Sequence, residues 1–252
     1  MVNSRITKSA AKERPIAALT AYDYPTGRIL DEEGVDLILV GDSLGMVVHG
    51  MQDTTGVTLD MMTMHTAAVC RGVKNAFVVA DLPYHTYKSP EEAVRNAAPL
   101  IEAGADAVKL EGGAGHVAQI RALTDSGFTV VAHIGMLPQR VREEGGYRKK
   151  GRTEEQANKL LHDAKAVEEA GAVAIVLESM VAKVAAEITQ GSGIPTIGIG
   201  AGSNCDGQIL VVHDLFGAYP WFCPPFATPK ADLAGTMRTA VQAYIADIQS
   251  TN

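Results

Sequence analysis

The chain has 252 residues, 46% hydrophobic and 20% charged, enough apolar matter for a sizeable core. A net charge of −7 without any long basic run argues against a nucleic-acid partner, and no apolar run approaches about 18 residues, so no membrane span is expected. The three scattered cysteines, Cys70, Cys205 and Cys223, form neither a disulfide framework nor a zinc motif, and the polar start MVNSRITKSAAKERP lacks a secretory apolar stretch, so a reducing cytoplasm is expected.

Eight short apolar runs follow along the chain: PIAALTA (15–21), VDLILVGD (35–42), NAFVVAD (75–81), DAVKLEG (106–112), FTVVAHIG (128–135), AVAIVLES (172–179), IPTIGIG (194–200) and GQILVVHD (207–214). Most are rich in Val, Ile and Ala, and several lack polar alternation, the pattern of parallel strands covered on both faces. Helical spacing fills most of the gaps, as in PEEAVRNAAPLIEAG (90–104) and TEEQANKLLHDAKAVEEAG (153–171), the latter with Thr153 as N-cap and Glu154 and Glu155 in its first turn. DEEGVDLILVGD, EAGADAVKLEG and EEAGAVAIVLES share an acid, a glycine and a strand. Their glycines, Gly34, Gly104 and Gly171, suit helix C-termini and lie 70 and 67 residues apart, close to two βα units each. Eight such units predict a single (β/α)8 TIM barrel over residues 1–252, with an open doubly wound sheet as the alternative.

In a barrel the chemistry gathers at the C-terminal strand ends. Asp42, Asp81, Lys109 with Glu111, His133, Glu178 and Asp214 fall there, a placement too selective for a random scatter of 29 acids. Lys109 and Glu111 sit two apart on one strand and so share a face. Asp42, Asp81 and Glu111 together form a hard-oxygen cluster whose mutual repulsion a bound Mg²⁺ would relieve. Lys109 would offset the remaining charge or hold a substrate carboxylate; the other reading is a structural ring of ion pairs. Glu178 shares a face with Ala174 and Val176, which suits a general acid or base, or else it is a solvated strand end. His133 is a candidate substrate contact, and the Ser43 hydroxyl or amide a candidate anion contact. GIGAG (198–202) reads as a tight loop and Met61, Met62 and Met64 as core filler. His65, His116 and His162 are expected on helices. Arg148, Lys149, Lys150 and Arg152 read equally as a solvated loop or an anion site.

LTAYDYPTGRILDEEGVDLILVGDSLGMVVHG, VTLDMMTMHTAAVCRG, VVADLPY, AGADAVKLEGG, AHIGMLPQ, GGYRKKGR, VLES and IPTIGIGAGSNCDGQILVVHDLFG resemble the ketopantoate hydroxymethyltransferase family from about residue 5 to about 217. The resemblance implies a (β/α)8 barrel of the phosphoenolpyruvate mutase and isocitrate lyase type. It implies hydroxymethyl transfer from 5,10-methylenetetrahydrofolate to 3-methyl-2-oxobutanoate. It further implies Mg²⁺ at Asp42, Asp81 and Glu111, oxo-acid contacts from Asp42, Ser43, Asp81, Lys109 and His133, Glu178 as acid/base, and a homo-oligomer, in that family a decamer. The segments 55–56, 147–150 and 218–235 depart from the family's pattern, so the alternative is a related metal-dependent aldolase or C–C lyase, or a hydroxymethyltransferase for another 2-oxo acid.

Overall fold

The structure, a computed structural model, describes residues 6–250. The chain divides into two compact units, Met1–Ile209 and Leu210–Asn252. Each apolar run supplies a strand: β1 Ile16–Thr20, β2 Leu37–Val40, β3 Phe77–Asp81, β4 Ala107–Glu111, β5 Val130–Gly135, β6 Ala174–Glu178, β7 Thr196–Ile199 and β8 Gly207–Leu210. They close into one barrel in sequence order, and the paired strands run parallel. Around and between them stand α1 Lys8–Glu13, α2 Tyr24–Glu32, α3 Leu44–Val47, α4 Leu59–Cys70, α5 Pro90–Glu102, α6 Val117–Asp125, α7 Glu154–Glu169 and α8 Ala182–Gly191. The second unit holds α9 Val212–Phe216 and α10 Leu233–Ser250. Among the described residues no helix is long and apolar enough to cross a membrane.

The repeat glycines do what their spacing predicts. Gly34, Gly104 and Gly171 take φ of +81°, +111° and +103°, left-handed backbone that closes α2, α5 and α7. In each case the glycine amide and the next amide donate back into the last turn, as in Gly34 N to Asp31 O (3.1 Å) and Val35 N to Leu30 O (3.0 Å). Thr153 Oγ1 caps α7 by accepting from Gln156 N (3.2 Å).

The barrel interior is layered. Phe77 and Val79, Ala107, Val131, and Ala174 and Val176 belong to the inner core, together with Ile16, Ala18, Leu37, Leu39, Ile197 and Ile209. Continuing the two-residue strand period from these positions reaches Asp81, Lys109, Glu111, His133 and Glu178. The apolar layers are therefore topped by a charged one.

Three sequence expectations need correction. The eighth run stops being a strand at Leu210; α9 begins at Val212, so Asp214 stands in a helix's first turn and not at a strand end. The chain turns there because Asp214 N and Leu215 N both donate to Val211 O. Nor are acids reserved for the C-terminal ends. Asp36, Asp106 and Asp206 precede β2, β4 and β8 and accept from Ala17 N (2.9 Å), Val78 N (2.8 Å) and Thr196 N (2.8 Å). Finally, Met62 is buried but Met64 is 61% exposed. His116 lies as expected on a helix, the short 3₁₀ turn Ala114–His116 that leads into α6.

Candidate active site

β2 ends at Val40, and the turn Gly41–Asp42–Ser43 leads into α3. The Asp42 amide donates to Asp81 Oδ2 (3.0 Å), which draws the two acids together. A side chain at Gly41 would sit 3.0 Å from Ser43 Oγ, so the tight turn needs the missing Cβ. Tyr22, after β1, holds Ser43 Oγ at 2.8 Å through its hydroxyl.

Asp81 Oδ1 lies 2.6 Å from Lys109 Nζ across the β3–β4 pair, with both side chains almost completely buried. Burial works against the Lys109 charge, but Asp81, Glu111 and Asp42 outweigh it and hold the ammonium above its ordinary pKa. Asp42 is driven well above the carboxylate range, first by burial and then by repulsion from Asp81 and Glu111. Asp81 is raised by burial, with Lys109 pulling the other way. Burial also acts on Glu111, but the facing His133 and Lys109 reverse it and leave that carboxyl lowered.

His133, on β5, lies between two acids. Its Nδ1 is 3.4 Å from Glu111 Oε1 and equally far from Lys109 Nζ; the ammonium has no acceptor, so we assign the Nδ1 proton to Glu111. Its Nε2 is 3.2 Å from Glu178 Oε2, within ion-pair range but not aligned as a hydrogen bond. Burial and Lys109 disfavour the imidazolium, yet Glu111 and Glu178 raise it to about 9. The Glu178 side chain, 14% exposed, is the most open of this charged layer. Gly135, with φ of +105°, lets β5 press against β6: a Cβ there would lie 2.2 Å from Glu178 O.

The structure thus brings Asp42, Ser43, Asp81, Lys109, Glu111, His133 and Glu178 to one mouth, all within the first unit; Asp214, on α9, belongs to the second. The structure also adds residues that charge patterning could not find. Gln139, in the 3₁₀ turn Pro138–Arg140, is 2% exposed. Its Nε2 donates to Asp42 Oδ2 (2.8 Å) and Leu82 O (3.0 Å), its amide donates to Glu111 Oε2 (3.1 Å), and its Oε1 accepts from the Tyr87 hydroxyl. The only sequence signal was its place in AHIGMLPQ; an amide carries no charge to draw attention.

Hard oxygen donors crowded in a buried space, two of them raised by burial, suit a divalent cation in chemistry. Among the described residues, however, no three His, Cys, Asp or Glu side chains meet in a group able to hold a metal. The protein would supply two direct ligands at most, with water and substrate oxygens completing the shell, an ordinary arrangement for Mg²⁺.

The family described as Ketopantoate hydroxymethyltransferase matches residues 1–252. The chain belongs to that family. A ketopantoate hydroxymethyltransferase relative from Pyrobaculum aerophilum, named 3-methyl-2-oxobutanoate hydroxymethyltransferase, is 52% identical over 98% of this chain and 94% of its own length. One of the same name from Clostridium botulinum is 50% identical over 94% and 87%. Family membership at this similarity makes the chain an enzyme, a transferase. In fold it is similar to 2,3-dimethylmalate lyase, a member of the PEP mutase/isocitrate lyase superfamily, with a TM-score of 0.63 and 18% identity over 98% of this chain and 86% of that one.

Proposed function

We propose that this transferase moves a hydroxymethyl group from 5,10-methylenetetrahydrofolate to 3-methyl-2-oxobutanoate, giving 2-dehydropantoate for pantothenate and coenzyme A synthesis. The observation that carries the reading is the buried charged layer: carboxylates and an ammonium on one side of the mouth, and the partly open Glu178 beside His133 on the other. Asp42, Asp81 and Glu111 would provide the acidic surroundings of Mg²⁺, at most two of them as direct ligands, and the ion when bound would supply positive charge to stabilise the enolate oxygen of the oxo acid. Ser43 and Lys109 hold the substrate carboxylate, and His133 contributes a further polar contact. Glu178 takes the C3 proton. As water adds its hydroxyl to the one-carbon unit and C3 forms the new carbon–carbon bond, both carbon–nitrogen bonds to folate break, and the two folate nitrogens take up the C3 proton, by way of Glu178, and one proton of the water. The chain's cysteines are free, in keeping with a cytoplasmic setting. A homo-oligomer completes the proposal; α10 leaves Met237, Val241, Tyr244, Ile245 and Ile248 exposed, a surface that assembly would bury.

The test follows exchange of the C3 proton of 3-methyl-2-oxobutanoate in D₂O by NMR, with Mg²⁺, with chelator, and in Glu178→Gln. Metal-dependent exchange that the variant loses by at least about 100-fold, within the general-base range, is expected. Silence with and without added tetrahydrofolate would instead assign the site to another 2-oxo acid.

A further inference from the structure

Two cavities lie beside the mouth and take no part in the steps above. One, of about 260 Å³, opens past the ends of β4 and β5 and is lined by Gly112, His116, Ile134, Arg140 and Leu160 among others. The second, about 160 Å³, is lined by Tyr84, His85, Lys88 and Gln139, and shares His116 and Arg140 with the first. Together they exceed the roughly 300 Å³ at which pockets begin to take drug-sized molecules.

Their charges are distributed unevenly. Lys159 is held by Asp163 at 2.6 Å, and Lys150 by Glu144. Glu143 accepts from the Tyr84 hydroxyl at 2.6 Å. Each of the three lining acids is therefore engaged. Arg140, exposed and common to both cavities, has no ion-pair partner among the described residues. A guanidinium is a planar fork that matches a carboxylate with two parallel hydrogen bonds. Nearby, the rings of Tyr84 and His85 stack 3.6 Å apart at 26°. His85 holds a left-handed backbone, φ +67°, uncommon for any residue but glycine and frequent at ligand sites. The pair offers a flat face for another ring.

Arg140 also sits one residue from Gln139, which grips Asp42 and Glu111. An anion on Arg140 would be tethered next door to the reacting carbon's site. Resting on the reading of the donor as a reduced folate, we propose that these adjoining cavities, which share His116 and Arg140, bind the donor's aminobenzoyl-glutamate tail, with Arg140 pairing a glutamate carboxylate and the Tyr84–His85 pair flanking the ring. The Lys150 neighbourhood, which the sequence leaves open between a solvated loop and an anion site, then forms part of the rim of that site.

The experiment compares binding of tetrahydrofolate with that of tetrahydropteroate, which lacks the glutamate, in wild type, Arg140→Ala and Arg140→Lys at fixed Mg²⁺ and oxo acid. The wild type should prefer tetrahydrofolate by about tenfold or more, as for a charge-assisted pair. Arg140→Ala should bind the two equally, and Arg140→Lys should recover part of the preference. Circular dichroism, and C3-proton exchange measured without folate, report whether the site is intact. If the wild type shows the preference and Arg140→Ala keeps it, the tail assignment is overturned while the donor reading stands. Wild-type protein that binds neither compound overturns the donor reading and the assignment with it.

Discussion

Gln139→Met removes a buried amide while nearly conserving volume, so its effect isolates hydrogen bonding from packing. The substitution takes a donor from the Asp42 carboxylate, a donor from Leu82 O, and the acceptor of the Tyr87 hydroxyl. The bond to the charged group is worth about 1.5–3 kcal/mol and each neutral one about 1 kcal/mol, a loss of about 3–5 kcal/mol. For a chain of this size that lowers Tm by roughly 10 °C. The contact of the Gln139 amide with Glu111 is made by backbone and survives, so the fold around β4 persists. Gln139→Glu sharpens the test. It places a fourth acid beside Asp42, whose neighbours already drive carboxyls upward. Its folded pKa should therefore exceed its unfolded value of about 4.3. A group raised in the folded state stabilises below its unfolded pKa and costs stability as pH rises above it. Gln139→Glu should thus match wild type most closely near pH 4–5 and fall behind at pH 8. Differential scanning calorimetry across pH reads both variants. A Gln139→Met protein melting within about 2 °C of wild type, or a Gln139→Glu deficit independent of pH, would refute the view of Gln139 as the clamp of the acid cluster.

Asp31, buried at the end of α2, accepts from the amides of Lys74, Asn75 and Ala76 and from the Asn75 side chain. Burial raises its pKa, but these donors together leave it below the ordinary value. Its contribution to stability is present above its unfolded pKa and is lost as pH falls through the depressed folded value. Asp31→Ala should cost about 2–4 kcal/mol at pH 7 for the donors left unpaired, and urea titrations should show the gap narrowing on acidification. On α10, Val241→Glu with Ile245→Glu should lower the mass measured by light scattering without unfolding the barrel unit; an unchanged mass would remove that face from assembly.

The barrel was legible because its signals are local. A glycine that ends a helix and an apolar run that follows it are both encoded within a dozen residues, and Gly34, Gly104 and Gly171 mark the same step in three copies. The charged layer was legible for a similar reason, since strand period alone aligns Lys109 with Glu111 and Ala174 with Glu178. What escaped depends on contacts between distant segments. Gln139 meets Asp42 across 97 positions of chain, and nothing near it in sequence announces that meeting. The acids also misled in part: Asp36, Asp106 and Asp206 look like Asp42 and Asp81 in sequence, and only the fold shows that they face the opposite end.

Those three aspartates have a consequence for how the molecule can change. Asp36 and Asp106 each exchange two bonds with the strand before them, side chain accepting and amide donating: Asp36 N reaches Ala17 O at 2.9 Å and Asp106 N reaches Val78 O at 2.8 Å. Asp206 binds Thr196 in the same two-way manner through the threonine hydroxyl. With the helix-ending glycines two residues before Asp36 and Asp106, these turns are tied at once to the helix behind them and to the neighbouring strand. Such a floor leaves little room for insertion or drift. The rim is tied differently, by side chains that reach between distant loops, as Gln139 to Asp42 and Arg142 to Asp53, so a changed loop residue there leaves the staves below in register. Selection on chemistry and selection on folding thus act on opposite ends of the same eight strands, and a new specificity can be written at one end without renegotiating the other.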